Sequence, residues 1–275
     1  MSEAPLPEGV PEGARERLAE NRGGLFTSDL TVNEYLLIED AGFEPLGLVV
    51  GSSIYQAGYQ RQRWTRGQEL TALSQAMYHA RELAMTRMEE EAHRLDADGI
   101  VGVRLRVSPQ HIGRHISEFV AIGTAVRHRQ GHSFRAPHGR PFTSDLSGQD
   151  FWTLRQTGAR PVGLVMGSCV YSVGRLRTTF RRPAGWWGQA RELPDYTQSL
   201  YQARELAMTR MQHEAAALSA HGIVGVQLDE HQHGWEGHLI EFFAIGTAII
   251  RGAPTEPAPR PSLVLDLNDA HASGR

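Results

Sequence analysis

Long stretches of this sequence occur twice. The nine residues Ala80–Met88 return letter for letter as Ala203–Met211, and Phe26–Leu30 returns as Phe142–Leu146. Solenoid repeats have periods of about 20–50 residues, which is much shorter than the period seen here. The repeat therefore predicts two tandem copies of one domain.

The repeat also aligns the two copies. Residues at matching positions, which we call counterparts, lie 116 apart from Phe26/Phe142 to Tyr55/Tyr171 and 123 apart from Leu70 onward. The extra residues of the second copy fall among glycines and prolines, which favour turns on a protein surface. We predict a loop at this point in both copies.

The length of 275 residues suffices for two domains that each bury an ordinary core. The first 24 residues have too few large apolar side chains to offset the cost of ordering them. The predicted organisation is a flexible arm at 1–24, a first domain at 25–128, a linker at 129–140, a second domain at 141–251 and a proline-rich tail with a short apolar segment at 252–275.

Each copy has the pattern of a small helix followed by a strand, a long helix and two further strands. Thr31 and Glu34 have the spacing of an N-terminal capping box, and Gly42 is placed to end the small helix. Segments rich in Val, Leu and Ile predict strands at 46–54, 100–107 and 118–127. The expected fold class is α+β, with two tandem β-α-β-β domains that each carry a short helical lead-in.

The apolar stripe from Leu70 to Leu95 has helical spacing, and it predicts a helix about 40 Å long. Three strands cannot cover such a helix, so we predict association between the copies and between chains. In the last strand of each copy small residues alternate with larger ones, which lets another backbone approach closely. The predicted assembly interface consists of Met77, Ala84, Met88, Ala121 and Gly123 in the first copy and of Leu200, Ala207, Met211, Ala244 and Gly246 in the second.

Four segments of each copy resemble a known family. In the first copy they are Gly47–Ser52, Ala80–Ala84, Ala97–Val103 and Glu118–Ala125. Their order and spacing resemble the YbjQ-like family, which carries the label "putative heavy-metal-binding". The resemblance implies a dodecin-like fold whose subunits build closed rings, commonly pentamers. Because this chain is duplicated, two stacked rings, one ring of alternating copies or a ring with another number of units all remain open.

The overall charge and hydropathy restrict the class of protein. A formal charge of −3 does not favour nucleic acid as a partner, because binding to its backbone depends on a surplus of cations. No apolar run approaches the length of a membrane span, and the first residues lack the basic and apolar regions of a signal peptide. We therefore expect a cytoplasmic protein that binds neither nucleic acid nor membranes.

Histidines offer one candidate site. His231 and His233 alternate on a predicted strand, so their side chains point the same way, and His238 follows in the same hairpin. Together they could hold a divalent metal ion. Among them only His238 has a histidine counterpart, His115, so a site inherited by both copies is not favoured.

Both copies retain a glutamate near the start of the last strand, Glu118 and Glu241. His115 lies three positions before Glu118, and His238 lies three positions before Glu241. This spacing places the histidine and the glutamate on opposite faces of a strand. We expect these glutamates to pair with a helix arginine such as Arg81 or Arg204.

The sequence contains no motif typical of an enzyme. It lacks a phosphate-binding loop with lysine, a Gly-x-Ser-x-Gly elbow and a His-Glu-x-x-His pair, so we assign no catalytic residue. The Gly-Ser pairs at 51–52 and 167–168 follow a strand, where a tight turn explains the glycine. Ser52, Tyr55, Ser168 and Tyr171 could instead line a small-molecule pocket at a subunit junction.

Two further segments are candidates for contact with a protein partner. Trp186 and Trp187 are adjacent in the loop of the second copy, where they either pack on their own domain or meet a partner. The tail contains Leu263, Val264 and Leu265, a short apolar run suited to adding a strand to the edge of a neighbour's sheet.

Taken together, these patterns predict a non-enzymatic, ring-forming homo-oligomer. The alternative is a metal-binding or sequestering module that uses the histidine-rich hairpin of the second copy. The third hypothesis is an enzyme or small-molecule binder at a pocket between subunits.

Overall fold

The computed structural model describes residues 11–22, 27–56, 68–109, 116–130, 134–137, 139–172, 194–232 and 239–252. The elements in chain order are α1 (Glu12–Arg22), α2 (Val32–Asp40), β1 (Phe43–Gln56), β2 (Gln68–Glu69), α3 (Thr71–Arg94), β3 (Gly99–Pro109), β4 (Ile116–His128), β5 (Phe142–Thr143), α4 (Gly148–Gln156), β6 (Arg160–Ser172), α5 (Pro194–Ala217), β7 (Gly222–Gln232) and β8 (Leu239–Ile250). The α+β class and the duplicated order of elements are confirmed.

The two copies exchange short strands. The first sheet has the order β1-β4-β3-β5, so its last strand comes from the second copy, and β5 runs parallel to β3. The second sheet has the order β2-β6-β8-β7, so its first strand comes from the first copy. The sequence pattern misses both short strands, because two residues are too few to show a period.

Helix caps follow the predicted pattern. The hydroxyl of Thr31 accepts a hydrogen bond from the N–H of Glu34, whose carboxylate accepts the N–H of Thr31 in return. In the second copy the hydroxyl of Ser147 caps α4 by accepting the N–H of Asp150. Gly42 follows α2 with φ of +88°, a conformation that favours glycine.

The predicted turn at Gly51 is wrong. β1 continues through this residue to Gln56, and helix α3 crosses directly over it. A Cβ on Gly51 would lie 2.0 Å from the carbonyl oxygen of Ala84 and 2.5 Å from the nitrogen of Met88. Gly167 has the same contacts with Ala207 and Met211 of α5. Glycine is needed here because the helix backbone lies against the strand, not because the chain turns.

Helix α3 lies between the two sheets. It packs on β1 and β4 of its own copy and on β6 of the other copy. Helix α5 packs on the opposite side of the second sheet, where Cys169 and Ala244 belong to its apolar cluster. The layers are therefore first sheet, α3, second sheet and α5.

Part of the predicted flexible arm is a helix, which corrects the expectation for residues 12–22. In α1, Leu18 is buried in the core of the first copy. Arg17 bonds the carboxylate of Glu91 and the carbonyl of Leu48 on the edge strand β1. Leu18, the partly buried Ala14 and the bonds of Arg17 hold α1 in place, and so few contacts do not register in a composition argument.

No helix in the described part of the chain is long and apolar enough to cross a lipid bilayer.

Candidate assembly interface

A buried ion pair joins the two copies. An Nη of Arg81 on α3 donates to Oε1 of Glu241 on β8 at 2.6 Å, and both side chains are almost fully buried. The hydroxyl of Ser168 donates to the same oxygen at 2.7 Å. Arg81 also lies over the rings of Phe119, at 5.2 Å, and Phe243, at 4.1 Å. The expected glutamate–arginine pairing thus forms between the copies rather than within one.

Apolar packing surrounds this ion pair. Along β6, Met166 and Val170 point toward α3 and share one buried cluster with residues of the first copy. The alternate residues Val165 and Cys169 point the other way, into the cluster around α5. Both faces of the second sheet are therefore buried by helices, one from each copy.

Backbone groups at the end of β6 are bonded by the first copy as well. The N–H of Val170 donates to the hydroxyl of Ser74 at 2.9 Å, and the N–H of Leu70 donates to the carbonyl of Val170 at 2.8 Å. The hydroxyl of Tyr78 donates to the carboxylate of Glu214 on α5. Burial raises the pKa of both Tyr78 and Glu214. The hydroxyl of Tyr78 therefore keeps its proton and is the donor of this hydrogen bond.

The segment Phe142–Leu146 bonds both copies. The N–H groups of Gly102 and Val103 on β3 donate to the carbonyls of Leu146, at 3.2 Å, and Ser144, at 2.9 Å. The hydroxyls of Ser144 and Thr247 lie 3.1 Å apart, so the segment is also tied to its own sheet. In the second copy, the side chains of this segment therefore hold its own sheet while its backbone extends the sheet of the first copy.

The lead-in helices complete the contact between the copies. The N–H of Gly148 on α4 donates to the carboxylate of Glu34 on α2 at 3.2 Å. The indole N–H of Trp152 donates to Asp40 at 2.7 Å. These bonds, the exchanged strands and the shared helix together form the interdomain interface.

The residues of the first sheet that correspond to the buried face of the second sheet are exposed or half-buried. Val170 is fully buried, whereas its counterpart Ile54 is 65% exposed. Ser168 is buried and its counterpart Ser52 is exposed. Val50, Glu118, Val120 and Ile122 are only half-buried, although their counterparts are all buried. We call these residues, with Ser52 and Ile54, the open sheet face.

Helix α5 and strand β7 show the matching difference. Arg81 is 1% exposed, whereas the side chain of its counterpart Arg204 is 37% exposed. Val103 is 2% exposed and its counterpart Val226 is 43% exposed. Tyr201, the counterpart of Tyr78, is 58% exposed. We call the Thr197, Tyr201 and Arg204 side of α5 the open helix face, and Ile223–Val226 the open strand edge.

Seven large hydrophobic side chains are exposed in the described part of the chain: Val32, Leu36, Ile54, Tyr201, Leu206, Val226 and Leu228. Five of these are counterparts of residues in the interdomain interface, namely Val32, Leu36, Ile54, Tyr201 and Val226. Exposed apolar groups that cluster in this way mark interaction surfaces.

The residues predicted for the assembly interface are placed differently. Each is packed inside the chain, between a helix and the sheet of its own copy, or lies on the strand that supports this packing: Met77, Ala84, Met88, Ala121 and Gly123, with Leu200, Ala207, Met211, Ala244 and Gly246. The surface open to another chain lies on the opposite side of the sheet and of α5. A single sequence shows the period of apolar residues in a helix or strand, but it does not show which face of a sheet another chain covers.

A cavity of about 690 Å³ lies where the copies meet. Two of the four predicted pocket residues, Tyr55 and Ser168, line it. Ser52 lies on the open sheet face, and Tyr171 lines a shallower groove beside Tyr201. The sequence did not indicate the remaining polar lining, which is contributed by Ser74, Gln75, Tyr78, His79, Arg210, His213 and Glu214.

Most of the other candidate residues lie outside the described part of the chain. This holds for His233, His238, the tryptophans 186 and 187 and the tail residues Leu263, Val264 and Leu265. His231 belongs to β7, but its side chain is not described. In the described ranges no group of three or more His, Cys, Asp or Glu residues is arranged to hold a metal ion. The residues described therefore do not fit a metal centre.

The fold and the interface define a tandem α+β protein whose copies share a helix and exchange strands. The chain belongs to the YbjQ family, described as "Putative heavy-metal-binding", which matches residues 35–129 and 155–251, once in each copy.

Three relatives illustrate full-length and single-copy matches. The chain is 45% identical over 258 residues to the encapsulin nanocompartment protein Rv1762c of Mycobacterium tuberculosis, covering 93% of this chain and 96% of that protein. It is 40% identical over 91 residues to a UPF0145 protein of Halorubrum lacusprofundi, covering 31% of this chain and 86% of that protein. A UPF0145 protein of Pyrococcus furiosus is 33% identical over 96 residues, with 35% and 82% covered. The latter two match a length close to one copy.

Proposed function

We propose that this chain is a non-enzymatic, cytoplasmic protein that assembles with itself into closed rings. The observation that carries the proposal is the exposure of the open sheet face and the open helix face, whose counterparts are buried inside the same chain. Open surfaces on both terminal layers favour association with further copies.

Light scattering coupled to size exclusion tests self-assembly at low micromolar concentration. We expect a particle several times heavier than the 30.5 kDa chain. A homogeneous 30.5 kDa monomer would contradict the proposal. Electron micrographs of the same fraction distinguish closed rings from open filaments.

We further propose that the assembly works in an encapsulin nanocompartment. Support comes from the 45% identical encapsulin nanocompartment protein of Mycobacterium tuberculosis, which matches almost the whole chain. In this proposal Trp186–Trp187 and the tail segment Leu263–Leu265 contact the protein partner. Short apolar segments of this kind suit addition to a sheet edge.

Co-production with the encapsulin shell protein of the same genome tests this partnership. Purified shells should contain the full chain, and a chain that ends at Gly252 should be lost from them while still assembling with itself. Equal amounts of the two chains in the shells would exclude the tail as the contact. Absence of the full chain from the shells would exclude the partnership.

A second candidate function is binding of a divalent metal ion by His231, His233 and His238. The spacing of these histidines and the family description favour it. Elemental analysis of untagged protein should find metal in the native chain and none in a variant with all three histidines changed to alanine. Equal metal content in both proteins would remove this candidate.

The cavity supports a third candidate, a site for a small molecule between the copies. Its volume of about 690 Å³ is within the range of ligand pockets. Native mass spectrometry of the purified assembly should then show a retained ligand that is lost on changing Tyr55 to Ala. A mass equal to that of the polypeptide alone would argue against it.

A further inference from the structure

We infer that two chains join head to tail: the open helix face and open strand edge of one chain bind the open sheet face and the Thr27–Leu30 segment of a second copy. The inference rests on the proposed self-assembly and specifies its contact. The partner is the same chain because the interdomain interface already shows this contact once.

The arginine of the open helix face already has the position that the interface needs. Arg81 lies 5.2 Å from the ring of Phe119, and Arg204 lies 5.2 Å from the ring of its counterpart Phe242. Arg81 pairs with Glu241 of the second copy. By the same relation Arg204 pairs with Glu118 of the neighbouring chain.

Thr197 on α5 is placed to form the same hydrogen bond that Ser74 forms in the interdomain interface. Ser74 accepts the N–H of Val170 at 2.9 Å. Its counterpart Thr197 also carries a hydroxyl, and the counterpart of Val170 is Ile54, which is 65% exposed. Thr197 therefore accepts the N–H of Ile54 of the neighbour, and this contact buries the Ile54 side chain.

The open strand edge matches the Thr27–Leu30 segment. β7 makes a register shift with β8 between Val224 and Gln227, as β3 does at the counterpart positions where its N–H groups bond the second copy. Gly225 and Val226 are the counterparts of the donors Gly102 and Val103. Leu30 and Ser28 are the counterparts of the acceptors Leu146 and Ser144.

The Thr27–Leu30 segment is already held in the binding conformation. The hydroxyl of Thr124 donates to Asp29 at 2.7 Å and lies 3.0 Å from the hydroxyl of Ser28. Thr247 contacts Asp145 and Ser144 in the same way. Because the side chains fix the segment on its own sheet, little order has to be gained when its backbone binds a neighbour.

The lead-in helices provide one more matching contact. Gly148 and Trp152 of α4 bond α2 inside the chain. Their counterparts on α2 are Val32 and Leu36, which are 77% and 56% exposed. In a head-to-tail contact these two side chains face α4 of the neighbour and are covered.

The two bound surfaces lie on different copies, so the contact is heterologous. A heterologous contact leaves one surface of each type open at the ends of every dimer, and therefore adds chains until a ring closes. A two-fold symmetric dimer, in contrast, would use one surface twice.

Disulfide cross-linking tests the register directly. Ile100 and Thr143 are paired across β3 and β5, and their counterparts are Ile223 and Thr27. We expect a chain carrying both Thr27→Cys and Ile223→Cys to form, on oxidation, a ladder of covalent multimers beyond the dimer. The native Cys169 is buried, and burial raises the pKa of its thiol to about 12, so it stays out of the reaction.

The controls are the two chains that each carry one of the introduced cysteines, which should remain at 30.5 kDa in denaturing gels. Cross-linking that stops at dimers, or that occurs in a chain with one introduced cysteine, would show a symmetric contact and overturn the inference. Native particles heavier than one chain that give no ladder would overturn the head-to-tail contact but leave self-assembly intact. A monomeric native chain would overturn both.

Charge reversal provides a second test that leaves the interdomain interface intact. Arg204→Glu and Glu118→Arg should each weaken assembly by a factor of about 100 or more, because each buries like charges at the contact. An equal mixture of the two variants should assemble, since opposite charges then meet at both kinds of junction. Failure of the mixture to assemble, when each variant alone is a folded monomer, would exclude this pairing.

The matched control is Glu205→Arg, one residue further along α5. Its counterpart Glu82 remains 51% exposed although the interdomain interface is formed, so the contact does not bury this position. We expect this variant to assemble like the native chain. Circular dichroism and melting temperature should show that all variants retain the fold.

Discussion

At the scale of single residues, two glycines decide how closely helix and sheet approach. Gly51 and Gly167 are counterparts, and in each case the backbone of the long helix occupies the place of a side chain. The sequence showed that both copies keep this glycine. Its reason became visible only with the helix in place, because a glycine in a strand and a glycine in a turn look the same in one sequence.

Changing Gly51 to Ala should lower the free energy of unfolding by about 3 kcal/mol or more, because helix backbone cannot move aside as a flexible side chain can. Urea unfolding followed by circular dichroism measures this. The control is Gly13→Ala, where a Cβ meets nothing within 4 Å and α1 gains helix propensity of up to about 1 kcal/mol. Similar stabilities of the two variants would contradict the close approach.

The raised pKa of Glu89 on α3 should make the stability of the protein depend on pH. Burial raises the pKa of its carboxyl to about 7 from 4.5, although Arg140 lies 3.6 Å away. Between these two values the unfolded chain ionises while the folded chain keeps the proton. Stability therefore falls as pH rises from about 4.5 to 7 and levels off above it.

Glu89→Gln should remove this loss, so the variant should exceed the native chain by about 2 kcal/mol at pH 8 and match it near pH 4. A fifth of the Glu89 side chain is exposed, so the gain should be smaller than the full shift implies. Urea unfolding of both proteins at several pH values measures it. A difference that does not change with pH would exclude Glu89 as the titrating group.

At the scale of elements, the capped and long helices and the long strands were predictable, whereas α1 and the two-residue strands were not. The stripe from Leu70 to Leu95 is long enough to show its period, and α3 follows it closely. β2 and β5 are too short for any period. Their positions depend on a neighbouring strand edge, which is distant in the sequence.

Helix α1 is the element for which sequence and structure differ most. If Leu18 is part of the core, Leu18→Ala should lower the free energy of unfolding by about 2 kcal/mol. The exposed Glu20 supplies the control, since Glu20→Ala should change stability by less than about 0.5 kcal/mol. Equal unfolding curves for the two variants would mean that residues 12–22 behave as the flexible arm that composition predicts.

At the scale of the whole molecule, duplication was predictable but the relation between the copies was not. Arg81 and Glu241 were candidates for pairing on sequence grounds, but the copy to which each partner belongs was not predictable. Sequence alone also selected the small residues of β4 as the assembly surface, whereas they face the helix of their own copy. Only the three-dimensional arrangement separates the inner side of a sheet from its outer side.

Because α3 belongs to the cores on both of its sides, the two copies should unfold together. Calorimetry should show one transition for the chain rather than one for each copy. Glu241→Gln leaves Arg81 as a buried charge without a charged partner and should cost about 3 kcal/mol. The whole transition should move to lower temperature. Two separate peaks, only one of them shifted, would contradict this cooperativity.

The shared helix also has a consequence for how the proposed assembly responds to dilution. Half of the contacts in the ring lie within single chains, where the covalent link maintains an effective concentration that dilution does not change. Only the contacts between chains depend on concentration. The ring should therefore dissociate at every second contact, yielding intact two-domain chains. Every closed ring of this kind contains an even number of domains, so a ring of five domains is excluded.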